Sequence, residues 1–170
     1  MAIEVAGVKV PDKAKVGSAE LVLNGAGIRT RIIFKVYVGA LYLTEKKSAA
    51  AEALAQKGAK RVALTLLREL SAQQLNEALD NGIQANNSAA EVQALKPRIA
   101  ALLSLLTDAK EGDVILLDFL PESGTVVSLN GVVRGKPIQG EDFYRAVLRI
   151  WLGDKPVDGD LKQGMLGQAQ

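Results

Sequence analysis

A chain of 170 residues has the usual size of one domain, and its 48% hydrophobic and 24% charged residues are typical of a globular fold. The 21 basic residues exceed the 19 acidic residues by only two and are scattered along the chain, so nucleic-acid binding is not predicted. Because histidine and cysteine are absent, zinc-finger sites, disulfides, thiolate nucleophiles and serine–histidine triads are excluded, and no metal or cofactor is predicted.

The N-terminal sequence and the distribution of apolar residues, glycine and proline predict the domain organisation of the chain. Residues 1–12 lack a basic segment followed by an apolar stretch, so we expect no signal peptide within the chain. No segment approaches the ~18 consecutive apolar residues of a membrane helix, so no membrane span is expected. Glycine and proline are dispersed and no repeat is visible, which predicts a single domain over residues 1–170.

The first third of the chain is predicted to be strand. Residues 19–24 and the run 29–43 are rich in β-branched and aromatic residues. Apolar residues occupy both parities of the longer run, so we expect both faces of its sheet to be covered. Gly25 and Gly27 indicate a glycine-rich turn before that run; a dinucleotide-binding loop is disfavoured, because the third glycine is missing and strand follows.

The middle of the chain alternates helix and strand signals. Residues 46–58 predict a short helix ended by Gly58, and 60–67 predict a strand. Two capping patterns, Ser71–Gln74 and Ser88–Glu91, mark helix starts. Pro97 falls inside the second of these helices, where a break or kink is expected at a cost of ~3 kcal/mol.

The last third predicts two strands, a hairpin and a helix. Residues 113–120 and 124–129 are strand-like, and Asn130-Gly131 between apolar flanks predicts a two-residue hairpin. Residues 141–153 place Phe143, Val147, Ile150 and Trp151 on one helical face that should pack on the sheet and bury Trp151. Strands in runs with helices inserted between them favour an α+β fold with a mainly antiparallel sheet and helices on one side.

A cluster of basic and phenolic residues is the candidate site. Arg29, Arg31, Tyr37 and Tyr42 lie in an apolar strand region, where a cation and a phenol could together bind a carboxylate or enolate oxygen. The alternative is a solvated strand edge. Eight residues of straight strand span ~26 Å, so Arg29 and Tyr37 could share a ligand only if the chain bends between them, and Arg31 is equally eligible.

Four segments, LNGAGIRT at 23–30, FKVYVGALYL at 34–43, LSAQQLNEALDNGI at 70–83 and FYRAVLRIWLG at 143–153, carry a family resemblance. In this order they resemble the chalcone-isomerase-like family, and within it the bacterial, non-plant branch. The resemblance implies an open-faced β-sandwich, in which a large antiparallel sheet carries helices on one face and a ligand cleft lies between them.

The resemblance also bears on catalysis. In the plant enzymes an arginine after the glycine turn, a strand threonine, a helical Tyr and Lys, and a Ser/Thr-Met pair organise ligand and water. Here Arg29 matches the arginine, but Tyr37, Leu75, Ala78 and residues 150–151 (Ile-Trp) stand at the other positions. Each lost acid, base or clamp costs ~10²–10⁴ in rate, so efficient cyclisation of naringenin chalcone is not expected.

Three functions stay open on these grounds. The first is a non-catalytic protein that binds a fatty acid or another small apolar carboxylate through Arg29 and Tyr37. Its apolar cleft walls would be Val36, Leu75, Phe143 and Trp151. The second is an isomerase or intramolecular lyase that uses Arg29 as a clamp and Tyr37 or Tyr42 for proton transfer, and the third is a structural partner of another protein. We expect substitution of the binding residues to leave stability nearly unchanged. The resemblance suggests a periplasmic location, with the cytoplasm as the alternative.

Overall fold

The computed structural model describes residues 2–168, which form nine strands and five helices. The strands are β1 (Ala2–Val5), β2 (Val8–Pro11), β3 (Lys13–Val16), β4 (Ala19–Arg31), β5 (Phe34–Leu43), β6 (Lys60–Leu66), β7 (Val114–Leu120), β8 (Gly124–Leu129) and β9 (Val132–Ile138). The helices are α1 (Ala50–Ala55), α2 (Ala72–Asn86), α3 (Ala89–Ser104), α4 (Glu141–Leu152) and α5 (Gly159–Met165). Among them, no helix is long and apolar enough to cross a bilayer.

Strands β3 to β9 form one antiparallel sheet in which every strand pairs with its neighbours in sequence. The helices enter this meander between β5 and β6, between β6 and β7, and after β9. Strands β1 and β2 form a separate antiparallel hairpin. The α+β class and the mainly antiparallel sheet predicted from the sequence are confirmed.

Two hydrophobic clusters cover the two faces of the sheet. On the inner face, Leu41 and Leu64 pack with buried residues of all five helices. On the outer face, Val38 and Tyr42 pack with Val10 of the β1–β2 hairpin. Alternate residues of a strand point to opposite faces, and from Tyr37 to Leu43 the apolar residues of both parities in β5 are buried, as predicted. At the start of β5 the prediction is wrong, because Phe34 is exposed.

The helix starts follow the capping patterns, but the predicted break does not occur. Ser71 and Ser88 each form a complete capping box. Helix α3 continues through Pro97, which is exposed, whereas Leu95 and Ile99 on either side of it are buried in the core. Burial of these flanking side chains contributes ~1.5–3 kcal/mol each, which outweighs the cost of the proline.

The predicted hairpin and last long helix are confirmed. Asn130 and Gly131 have φ values of 52° and 83° and join the paired residues Leu129 and Val132, as expected for a tight two-residue turn. Helix α4 ends at Gly153 and buries Trp151 completely.

The glycine-rich turn predicted at Gly25 and Gly27 is wrong, because both residues lie inside β4. A Cβ atom at Gly25 would collide with the backbone of Gly164, and one at Gly27 would lie 3.3 Å from Cα of Leu161. These glycines therefore allow α5, which the sequence did not predict, to pack directly against the strand.

Candidate functional site

A tight turn divides the run that the sequence predicted as continuous strand. Residues 29–43 fold back at Ile32 and Ile33, so that Arg31 pairs with Phe34. Ile32 has a φ of 59°, a value that is unusual for a β-branched residue. Residues 31–34 include none of the glycine, asparagine, aspartate or proline residues that indicate a turn, and for that reason the sequence did not predict it.

The turn brings two candidate residues together. Arg29 on β4 and Tyr37 on β5 are register partners. Directly opposite residues of an antiparallel pair have Cα atoms ~4.5–5.5 Å apart and share one face of the sheet. The separation of ~26 Å expected for a straight strand is therefore wrong, and one ligand can reach both side chains.

A cavity of about 350 Å³ lies between the inner face of the sheet and helices α2 and α4, and we call it the main cavity. Its deep wall consists of buried apolar residues, namely Leu64, Leu75, Leu79, Leu106, Ile115, Leu117 and Ile150. Exposed residues surround its mouth, namely Arg31, Ile32, Phe34, Arg68, Gln74 and Ala78. Arg29 and Tyr37 also line it. This is the usual composition of a small-molecule site, in which a few polar groups orient a ligand inside apolar walls.

The hydroxyl of Tyr37 is oriented by Trp151. Its oxygen accepts a hydrogen bond of 2.9 Å from the indole Nε1 of Trp151, and no residue within 2–168 accepts its proton. Burial raises the pKa of Tyr37 to about 12, although the hydrogen bond from Trp151 and the charge of Arg29 oppose that rise. Tyr37 is therefore protonated at neutral pH and can donate a hydrogen bond into the cavity.

Arg29 is held by backbone carbonyls rather than by a carboxylate. Its Nη1 donates to the carbonyl oxygens of Thr30, at 3.0 Å, and Val157, at 2.9 Å. In the described part of the chain it forms no salt bridge, and nearby Asp158 accepts from the backbone N–H groups of Thr30 and Leu161 instead. A guanidinium has five N–H donors, so Arg29 retains donors and a full charge for an anion.

The other predicted site residues occupy different positions. Arg31 is exposed at the mouth, and Leu75 forms part of the buried wall. Trp151 lies behind Tyr37, and neither Trp151 nor Phe143 lines the cavity, whereas Val36 does. Arg68, which the sequence analysis missed, also reaches the mouth; it follows β6 in a connection without a recognisable motif.

Tyr42 lies on the outer face of the sheet. It lines a second cavity, of about 290 Å³, beneath the β1–β2 hairpin, and its hydroxyl donates to the carbonyl oxygen of Pro11 at 2.7 Å. Its neighbour Arg61 donates two hydrogen bonds, of 2.7 and 2.8 Å, to Asp118. Tyr42 therefore cannot contact a ligand in the main cavity.

The comparison with known protein families identifies the chain. Residues 2–167 match the family described as "Chalcone isomerase-like". This protein belongs to the chalcone isomerase-like family. A comparison with curated proteins finds no match.

A solved structure shares the fold of this chalcone isomerase-like chain. A fatty-acid binding protein of Arabidopsis thaliana superposes with a TM-score of 0.70, over 98% of this chain and 96% of the other, at 15% sequence identity. The identity is too low to transfer a ligand, but the similarity agrees with the antiparallel sheet and helical layer described above. The open-faced sandwich predicted from the resemblance is confirmed.

Three of the positions that the resemblance sets against catalytic residues of the plant enzymes line the main cavity. Leu75, Ala78 and Ile150 line it together with Arg29 and Tyr37. None of the first three can transfer a proton, and within residues 2–168 no group of three acidic side chains could hold a metal ion. The arrangement can therefore bind and orient an anion, using two donors above apolar walls.

Proposed function

We propose that this chalcone isomerase-like protein binds a fatty acid, or another small apolar carboxylate, in the main cavity without transforming it. The observation that carries the proposal is the register pairing of Arg29 with Tyr37 at the lining of an otherwise apolar cavity. The similarity of fold to a fatty-acid binding protein supports it.

The donors of the site match a carboxylate. One carboxylate oxygen would accept from the guanidinium of Arg29 and the other from the hydroxyl of Tyr37, whose oxygen is already engaged by Trp151. Hydrogen bonds to charged groups are roughly twice as strong as neutral ones, and the apolar walls weaken competition from water. The acyl chain would lie against Leu75 and Ile150, where each buried methylene contributes ~0.8 kcal/mol.

Proton-transfer catalysis is the alternative, and the chemistry of the cavity disfavours it. A general acid or base works best when its pKa lies near the working pH, whereas the pKa of Tyr37 is about 12. An isomerase on this site would depend on Arg29 alone as a clamp. We expect naringenin chalcone to cyclise no faster with the protein than in buffer, and turnover near an ordinary enzyme rate of ~1 s⁻¹ would contradict this.

Titration of a fluorescent fatty acid tests the binding pair. Arg29→Ala should weaken binding by ~2–5 kcal/mol, because the bound carboxylate loses its charged partner, and Arg29→Lys should recover only part of the loss. Tyr37→Phe should weaken it by ~0.5–3 kcal/mol. If Arg31→Ala abolishes binding while Arg29→Ala leaves it intact, Arg31 rather than Arg29 binds the carboxylate. If wild type does not bind, the carboxylate proposal is wrong.

Occlusion of the cavity gives an independent test. Ala78 and Ala85 are both exposed on α2, but only Ala78 lines the cavity. Ala78→Trp should block the mouth and abolish fatty-acid binding, whereas the matched control Ala85→Trp should bind as wild type does. Native mass spectrometry of protein purified without denaturation should reveal a co-purifying acyl chain that Ala78→Trp lacks. The periplasmic location stays a prediction, which cell fractionation would test.

A further inference from the structure

The turn between β4 and β5 exposes three large apolar side chains. The exposed fractions of Ile32, Ile33 and Phe34 are 86%, 81% and 51%. We call residues 31–35 the tip. Clustered apolar side chains on a surface are typical of sites that contact a membrane or another protein.

The local backbone does not require an apolar residue at the tip. Ile32 adopts a φ of 59°, and in two-residue hairpins such positions usually hold glycine, asparagine or aspartate. A β-branched residue there costs of order 1–3 kcal/mol in backbone strain. Because Ile32 is 86% exposed, burial within the folded chain offsets little of this cost, which favours a contact of the side chain outside the chain.

Cations surround the apolar side chains of the tip. Arg31 and Lys35 flank them, and the guanidinium of Arg68 lies 4.8 Å from the ring centroid of Phe34. Glu69 follows Arg68, and Asp158 accepts a hydrogen bond from the backbone N–H of Thr30, so the cations around the tip outnumber the acidic side chains near it. Apolar side chains within a set of cations match the interface of a bilayer that contains anionic lipids.

The tip is continuous with the mouth of the main cavity. Arg31, Ile32, Phe34 and Arg68 line that mouth as well as the surface. A tip docked on a bilayer would therefore bring the mouth against the lipid surface, where an apolar ligand could pass between membrane and cavity.

We propose that the tip docks the protein on the surface of an anionic membrane, inserting Ile32, Ile33 and Phe34 at the lipid interface. A second copy of the chain fits less well, because a symmetric contact between two tips would oppose their cations. The docking surface is independent of the ligand; only its role in exchanging an apolar carboxylate rests on the proposed function.

Vesicle sedimentation tests the docking. Wild-type protein should sediment with vesicles of phosphatidylcholine and phosphatidylglycerol, and much less with phosphatidylcholine alone. Ile33→Asn should weaken vesicle binding about tenfold, since an inserted isoleucine is lost, and Lys35→Glu should weaken it at least about fivefold. The matched controls are Ile3→Asn, at an exposed isoleucine of β1, and Lys46→Glu, beyond the other end of β5; both should bind vesicles as wild type does.

Two further measurements separate the docking from its alternatives. Ile33 and Lys35 do not line the main cavity, so their variants should bind a fluorescent fatty acid in solution as wild type does. Ile32→Asn should unfold at the same or a higher temperature than wild type, because asparagine accepts the positive φ.

Fatty-acid binding without vesicle binding would overturn the docking and leave the proposed function intact, and vesicle binding without fatty-acid binding would do the reverse. Vesicle binding unaffected by Ile33→Asn, or a dimer that this variant dissociates, would also overturn the docking.

Discussion

Each face of the sheet carries an arginine and a tyrosine, but the two pairs have different hydrogen-bond partners. On the outer face Arg61 gives two donors to Asp118, and Tyr42 gives its proton to Pro11. On the inner face, within residues 2–168, the hydrogen bonds of the Arg29 side chain go only to backbone carbonyls, and the proton of Tyr37 has no acceptor.

This difference distinguishes a structural pair from a binding pair. Arg61 and Tyr42 already have partners, so a ligand would have to displace them at a cost. Arg29 and Tyr37 are oriented by Val157 and Trp151 but keep donors free, which is the condition for binding an anion without prior rearrangement. An arginine beside a tyrosine does not by itself indicate a binding site. The candidate site is indicated by the hydrogen-bond donors that such a pair leaves free.

The largest stability effect is expected on the outer face. Asp118→Ala leaves Arg61, which is 19% exposed, without its partner, and we expect a loss of about 3 kcal/mol in the free energy of unfolding. Urea denaturation would measure this loss, and fatty-acid binding should stay unchanged. The double variant Arg61→Leu/Asp118→Leu should be more stable than Asp118→Ala, because no charge is left unpaired. If Asp118→Ala were as stable as wild type, the conclusion that the Arg61–Asp118 pair stabilises the fold would be wrong.

Alkaline pH should destabilise the inner face through Tyr37. Its pKa is 10.0 in an ordinary environment and about 12 in the fold, so the folded state favours the protonated form. The stability contribution is fully present below pH 10 and is lost as the pH rises through 12; it amounts to ~3 kcal/mol at ~1.4 kcal/mol per pKa unit. Unfolding free energies measured between pH 9 and 12 should fall less steeply for Tyr37→Phe than for wild type.

Removing each tyrosine hydroxyl sharpens the comparison. Tyr37→Phe leaves the buried indole N–H of Trp151 without an acceptor and should cost ~1–3 kcal/mol of stability. For Tyr37 this prediction differs from the expectation that substitution of the binding residues leaves stability unchanged, because the hydrogen bond from Trp151 could not be foreseen from the sequence. Tyr42→Phe frees only the carbonyl of the exposed Pro11, which water can reach, so ~0.5–1.5 kcal/mol is expected. Thermal unfolding would compare the two, and a larger effect at Tyr42 would contradict the assignment.

Part of the candidate site could be predicted from the sequence. Arg29 and Tyr37 were singled out, and the resemblance placed Leu75 and Ile150 near them. Tyr37 and Tyr42 are five residues apart, an odd separation that already places them on opposite faces of one strand. Arg68 could not be predicted, because it reaches the mouth of the cavity through a connection whose path depends on packing.

The sequence by itself determined the types and order of most elements, because capping boxes, the Asn130-Gly131 turn and apolar periodicity act through neighbouring residues. It also excluded histidine and cysteine chemistry. Only the tertiary structure decided that the chain turns at Ile32 and sets Arg29 opposite Tyr37. That strand end is held by Val157 and Asp158, residues 128 positions away along the chain, and contacts at such separation are decided by packing rather than by local sequence.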